Sequence, residues 1–256
     1  MRWKITGSSV TGRSHADRGE TGQDCHRAGC IRIGDQEYFI GLVADGAGST
    51  TDGGQGAELA CRCMNDRIID ALRKNGDLAA ITDQDIRDWV TATHAAIEAE
   101  AELNKKRPRD FACTLLGAIA SQGETIFFQI GDGAIVVSTD GGEYETVFWP
   151  EQGEYANTTF FVTDSGFSDH LDIRHYGSTP KEIALFTDGL QTLALSFAQK
   201  KAHAGFFRPL FEALRQHPDN GFLNFSSQLS AFLTRNDVSA RSDDDKTLVL
   251  AVQTPD

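Results

Sequence analysis

Apolar and polar positions along this chain change period several times, and each change marks an element. A short mixed run at 3–10 reads as an edge strand. Runs at 31–33 and 38–44, joined by Gly34-Asp35-Gln36-Glu37, read as a hairpin. Over 56–74, Ala57, Ala60, Met64, Ile68 and Leu72 fall on one stripe, which predicts a helix stopped by Asn75-Gly76. Thr82 with Asp85 opens a second helix, whose buried face is Ile86, Trp89 or Val90, Thr93, Ile97 and Ala101, ending at Pro108.

From Phe111 onward the period becomes that of strands. Segments 111–120, 125–130, 134–138, 146–149, 158–163 and 181–187 are short and rich in apolar or β-branched residues. Two helices follow, carrying Phe206, Phe207, Leu210, Phe211 and Leu214, then Phe222, Phe225, Leu229, Phe232 and Leu233. These stripes have helical spacing and predict core. A polar loop, 237–245, and a last strand, 246–253, close the chain. Clustered strands and paired helices predict a layered α+β domain. No Pro-rich or Ser-rich linker and no repeat interrupts it, so one domain is expected over 1–256.

Charge and cysteine usage narrow the classes. The formal net charge of −13 argues against nucleic acid or an anionic membrane as partner. No apolar stretch approaches the roughly 20 residues that cross a bilayer. Five cysteines, an odd number, with an N-terminal start lacking an apolar core, predict a soluble cytoplasmic protein with reduced thiols. Cys25, His26 and Cys30 lack a second Cys or His pair at matching spacing, which speaks against zinc.

Candidate chemistry enters at Asp-Gly. The pair occurs five times, at Asp45, Asp52, Asp132, Asp140 and Asp188, and its ordinary meaning is a tight turn. Asp140 fits that meaning between strand-like runs, and Asp52 sits in a polar loop. The other three each follow an apolar run of strand length. A carboxylate at a strand end, followed by glycine that frees the backbone carbonyl, suits a hard cation such as Mg²⁺ or Mn²⁺. Asp243-Asp244-Asp245 places another carboxylate before the final strand. Two charges about 4 Å apart interact by about 4 kcal/mol at an effective dielectric of 20, so convergence of these groups would require a cation. The segment 11–24 reads as a loop. With Arg13, His15 and Arg18 it is either a phosphate holder or a solvated surface segment.

Taken in order, Gly22-Gln23-Asp24, Val43-Ala44-Asp45-Gly46-Ala47-Gly48, Ala112-Cys113-Thr114-Leu115, Ile130-Gly131-Asp132-Gly133-Ala134, Phe186-Thr187-Asp188-Gly189-Leu190 and Asp244-Asp245-Lys246-Thr247 resemble the motifs of the metal-dependent protein phosphatase 2C (PPM) family. Ser14-His15 and Tyr155-Ala156-Asn157-Thr158-Thr159 bring the sequence closest to a bacterial branch. The resemblance implies a four-layer α-β-β-α sandwich, two central antiparallel sheets flanked by helix pairs. It implies hydrolysis of phosphoserine and phosphothreonine in proteins by a binuclear Mn²⁺ or Mg²⁺ centre with a metal-bridging water. Asp45 would bridge both ions, and the Gly46 carbonyl would bind one. Asp188 and Asp244 would bind the other, Asp24 would act through water, and Asp132 would help hold a weaker third ion. The implied partners are a phosphorylated protein and its cognate Ser/Thr kinase.

Two departures stand out. Eukaryotic members carry a His proposed as general acid where this chain has Ala47, and the phosphate-binding Arg has no direct match, leaving His15, Arg18 and Arg13 as candidates. Competing readings are a pseudophosphatase that binds a phosphorylated partner and a phosphatase for small phosphate esters.

Overall fold

Most strands of this protein are apolar on both faces, and such strands need cover on both sides. The computed structural model describes residues 2–150, 159–218 and 222–254, with the side chains of 222–224 outside that description. Its strands are β1 (Arg2–Val10), β2 (Cys25–Ile33), β3 (Gln36–Ala44), β4 (Leu115–Ser121), β5 (Glu124–Ile130), β6 (Ala134–Ser138), β7 (Glu145–Thr146), β8 (Asp172–Tyr176), β9 (Glu182–Phe186), β10 (Leu195–Ser196), β11 (Lys201–Ala202) and β12 (Lys246–Thr254). Its α-helices are α1 (Arg13–Ala16), α2 (Gly53–Asn75), α3 (Asp83–Leu103), α4 (Gln191–Ala194), α5 (Ala204–Gln216), α6 (Phe222–Leu233) and α7 (Asn236–Ser239).

Two five-stranded antiparallel sheets form the centre, in the orders β1-β12-β9-β6-β7 and β2-β3-β4-β5-β8. Side-chain alternation sorts each strand between two cores. Phe39 and Val43 of β3, Ile183 and Leu185 of β9, and Val249 and Ala251 of β12 fill the space between the sheets. Tyr38, Ile40 and Leu42 point outward to Met64, Ile68 and Leu72 of α2 and to Val90 and Ile97 of α3. On the opposite side, Ala184, Phe186, Leu248 and Leu250 meet Phe207 and Phe211 of α5 and Leu229 and Leu233 of α6. Three cores between four layers give the expected α-β-β-α sandwich.

The helix boundaries follow from local chemistry. Gly76, at φ 69°, takes the left-handed position that ends α2. Thr82 and Asp85 form a reciprocal capping box at the start of α3, and Val90 rather than Trp89 is buried. β1 lies at a sheet edge, as expected.

Elsewhere tertiary contacts override the pattern. The expected strand at 111–120 begins only at Leu115, because Pro108–Phe111 is a 3₁₀ turn in which Asp110 accepts from the Arg107 amide at 3.0 Å. Of the expected strand at 146–149 only Thr146 pairs in the sheet, together with Glu145, as β7. Residues 159–163 form no strand, since the Phe161 amide donates to Asp164 at 2.8 Å and closes a turn. Tyr155, Ala156, Asn157 and Thr158 lie outside the described residues. Polar β8 went unpredicted because an edge strand needs backbone partners more than an apolar face. Likewise, α7 interrupts the expected polar loop.

Candidate active site

The carboxylates stand where strands stop. Asp45 follows the last residue of β3, and Thr114 clamps it from both sides: the Asp45 amide donates to Thr114 Oγ1 at 2.9 Å, and the Thr114 amide donates to the Asp45 carbonyl at 2.8 Å. Gly46 is required by close approach, since a Cβ there would lie 2.2 Å from the Gly53 carbonyl carbon. Asp188 follows β9 after one intervening residue, Thr187, and opens a 3₁₀ turn. A Cβ on Gly189 would lie 1.9 Å from the Asp245 carbonyl oxygen, so backbone packs directly on backbone.

Thr187 joins the two sheets at this point. Its hydroxyl donates to Asp24 Oδ2 at 2.8 Å and accepts from the Thr247 amide at 3.0 Å. Asp24 therefore arrives from the strand-free segment before β2 and is fixed to the ends of β9 and β12. Asp244, just before β12, accepts from the Asp245 amide at 2.9 Å. Asp132 sits after β5, where its Oδ2 accepts from the Thr159 hydroxyl at 2.5 Å and its carbonyl accepts from Gln191.

These groups share one electrostatic environment. Burial, reinforced by the charges of Asp245 and Asp188, pushes the Asp24 carboxyl up to about 8 against the opposing hydrogen bonds of Thr187 and Thr247. Asp188 is pushed up to about 6 by burial, then by Asp132 and Asp244. Asp45 rises well above the carboxylate range, first through burial and then through the charges of Asp24 and Asp188. Such a cluster holds protons when no cation is bound.

Whether a cation fits can be judged from the donors. Oδ1 of Asp24 and Oδ1 of Asp188 are sealed from solvent with no hydrogen-bond partner. Among the described residues no three His, Cys, Asp or Glu side chains are arranged around one point to hold an ion. A small hard cation keeps several waters and is commonly bound by one or two carboxylates, so the all-oxygen set fits Mg²⁺ or Mn²⁺ in a hydrated form.

The cationic loop behaves unevenly. Asp245 pins it, accepting from the Gly12 and Gln23 amides at 2.6 Å each. His15 is 2% exposed, with Nδ1 3.1 Å from Asp245 Oδ1 but out of line, so neither ring nitrogen makes a hydrogen bond. Arg13 donates to the Ser239 carbonyl at 2.7 Å, away from the carboxylates. Arg18 is half exposed and paired with Glu20 at 2.7 Å, on the wall of a cavity of about 1010 Å³ that Asp24 and Gln23 also line. A second cavity, about 480 Å³, lies beside Ala47 and is lined by Arg107, Arg109 and Thr163.

Sequence reasoning gave no role to several residues. Thr114 and Thr187 stood inside quoted motifs, each beside a strand end, which is the signal that marks them. Lys246 is 2% exposed and donates to the Asp244 carbonyl at 2.6 Å, and burial lowers its pKa against the opposing pull of Asp244 and Asp245. In the sequence it shows as a lysine opening an apolar strand, next to the Asp244-Asp245 pair. Asp52, read as a plain turn residue, is buried and receives Lys106 Nζ at 2.6 Å.

A family model described as Protein phosphatase 2C matches residues 11–234. The chain is 35% identical to Serine/threonine-protein phosphatase 3 of Escherichia coli (strain K12) over 254 residues, 98% of this chain and 99% of that protein. Among solved structures, the catalytic domain of the serine threonine protein phosphatase PstP, in complex with two manganese ions, superposes with a TM-score of 0.63 at 18% identity, covering 98% of this chain and 97% of that one. PppA of Pseudomonas aeruginosa, described as a key regulatory component of T6SS, gives 0.65 at 15% identity and 98% coverage of both chains. These two likenesses concern the fold.

Proposed function

Because this chain belongs to the protein phosphatase 2C family, we propose that it hydrolyses phosphoserine and phosphothreonine esters in proteins, using two Mn²⁺ or Mg²⁺ ions held around Asp45. The observation that carries the reading is the buried carboxylate set Asp24, Asp45 and Asp188, whose raised pKa values and unpartnered oxygens mark groups built to meet a cation. The name of the Escherichia coli relative supports the substrate class, and the manganese in the PstP structure supports the metal.

In this reading Asp45 and the Gly46 carbonyl would hold the ions, with Asp45 shared between them. Asp188 and Asp244 would serve the second ion, Asp24 would act through water, and Asp132 would help hold a weaker third. Two such ions, when bound, would lower the pKa of a water and neutralise the phosphate. The chain's own part is positioning. Thr114 and Thr187 hold Asp45 and Asp24 in place, and Asp245 fastens the loop that carries Arg18 to the rim. Of the three cationic candidates, Arg18 lines the cavity beside Asp24, whereas a phosphate could reach His15 only if its cover moved. Ala47 offers no proton donor, so the leaving alkoxide takes its proton from another group. A Ser/Thr kinase is the reaction that must supply the substrate.

Aryl phosphate hydrolysis by the purified chain, assayed with manganese and with excess chelator, tests the reading. Turnover should appear with Mn²⁺ or Mg²⁺ and vanish with chelator. Equal rates in both arms would refute it.

A further inference from the structure

Three of the five cysteines meet behind the carboxylates. Cys25 opens β2, opposite Ala44 in the ladder. Cys61 is fully buried on α2, and Cys113, also buried, bridges to Gly46. Cys25 packs against the core that holds Cys61 and Cys113, Cys61 Sγ donates to the Cys25 carbonyl oxygen at 3.9 Å, and Cys25 Sγ donates to the His26 carbonyl oxygen at 3.9 Å. All are free thiols. Of the three, Cys25 borders the cavity of about 1010 Å³, next to Asp24. Neighbouring thiols of this kind can be joined by a sulfur–sulfur bond.

A reachable thiol in contact with a sealed one is the arrangement of an attacked and a resolving cysteine. We propose that Cys25 and Cys61 form an oxidisable pair that takes a hydroperoxide and closes to a disulfide beside Asp24. Cys25 Sγ attacks the terminal peroxide oxygen. An S–O bond forms, the O–O bond breaks, and the thiol proton leaves with the departing alkoxide as an alcohol. Cys61 Sγ then attacks the Cys25 sulfenic sulfur. An S–S bond forms, the S–O bond breaks, and hydroxide leaves as water with the Cys61 proton. Two thiols lose two electrons in total, and one hydroperoxide becomes one alcohol and one water. Cys25 is covalently joined to Asp24, so the bond draws the start of β2 toward α2 and disturbs the Thr187–Asp24 contact. The loss of turnover that follows rests on the phosphatase reading above, whereas formation of the bond does not.

Tryptic cleavage places Cys25 on peptide 19–27, Cys30 on 28–32, Cys61 on 33–62 and Cys63 on 63–67. The whole chain is treated with hydrogen peroxide, digested without reductant and mapped by mass. Peptides 19–27 and 33–62 should join, two hydrogens lighter than their sum, and separate with dithiothreitol. Aryl phosphate turnover should fall and recover in step. In Cys61→Ser, Cys25 should stop at a sulfenic acid that dimedone traps. Unjoined peptides under conditions that oxidise exposed Cys30, or joining of 19–27 to 28–32, would overturn the pair. A joined pair with undiminished turnover would overturn its control of the site. A reduced protein with no phosphatase activity would sink the phosphatase reading alone, since peptide mapping decides the pair by itself.

Discussion

Asp140-Gly141 and Asp188-Gly189 are the same dipeptide in opposite surroundings. Asp140 is exposed between β6 and β7, and the Gly142 and Glu143 amides donate to it at 2.7 and 3.2 Å. Those bonds hold its carboxyl below the usual range, in the ionised form. Gly141 is needed there for its φ of 82°, since the place of its Cβ meets only side-chain atoms of Arg215 and Glu182, at 3.4 and 3.7 Å. Asp188 is pushed the other way by burial and by neighbouring carboxylates, and Gly189 is needed because another backbone occupies the place of its Cβ. A dipeptide reports that glycine is required, and the surroundings decide which of its two properties is used.

Substitution at the acids should divide the two kinds most sharply. Asp45→Asn should lower manganese-dependent aryl phosphate turnover by orders of magnitude while the fold persists, and melting in chelator should rise slightly as carboxylate repulsion is relieved. Asp140→Asn should leave turnover unchanged. Near wild-type turnover in the Asp45 variant would place both residues in one class.

The glycines should separate next. Gly189→Ala forces two backbones apart and should cost several times more than Gly141→Ala, for which strain at positive φ is worth about 1 kcal/mol. Denaturant midpoints at constant m-value read the difference. Equal losses would show that close approach at Gly189 relaxes freely.

Acidity gives a third contrast. Asp24 and Asp188 have folded pKa values of about 8 and about 6, above the value of 3.8 for an unperturbed Asp. Their contribution to stability is therefore fully present below about 4 and lost as pH rises through 6 and then 8. Asp140 and Asp85, shifted down, act in the opposite sense and only in the acid range. The melting temperature in chelator should fall between pH 5 and pH 8, and manganese should flatten that slope. A rise over the same interval would contradict the buried, protonated cluster.

Thr187→Val offers the smallest effect. It removes the hydroxyl between Asp24 and the Thr247 amide, and an unsatisfied buried partner costs about 1–3 kcal/mol. Turnover should drop less than in Asp45→Asn. An unchanged melting curve would mean that the contact between the two sheets is not held through this hydroxyl.

Much of the frame was legible. Met64, Ile68 and Leu72 announce their helix because a stripe at 3.6-residue spacing has no other way to be buried, and Thr82 with Asp85 announces its start by local hydrogen bonding alone. Residues 159–163 misled, because β-branched and aromatic residues fit a turn equally well once Asp164 caps the Phe161 amide. Strand β8 was silent, since its backbone partners come from β5 and its side chains carry no alternation.

The sequence by itself determined which residues turn inward, where helices start and stop, and that several carboxylates lie at strand ends, because these follow from spacing along a few neighbouring residues. Only the tertiary structure decided that Asp24, Asp45, Asp188 and Asp244 share one environment, that Asp245 fastens the loop at Gly12 and Gln23, that Lys246 lies buried among acids, and that Cys61 Sγ reaches the Cys25 carbonyl. Those contacts depend on β12 lying between β1 and β9, and on the segment before β2 reaching across to Thr187. Sheet order and register are set by long-range packing of all three cores at once, which no local period encodes.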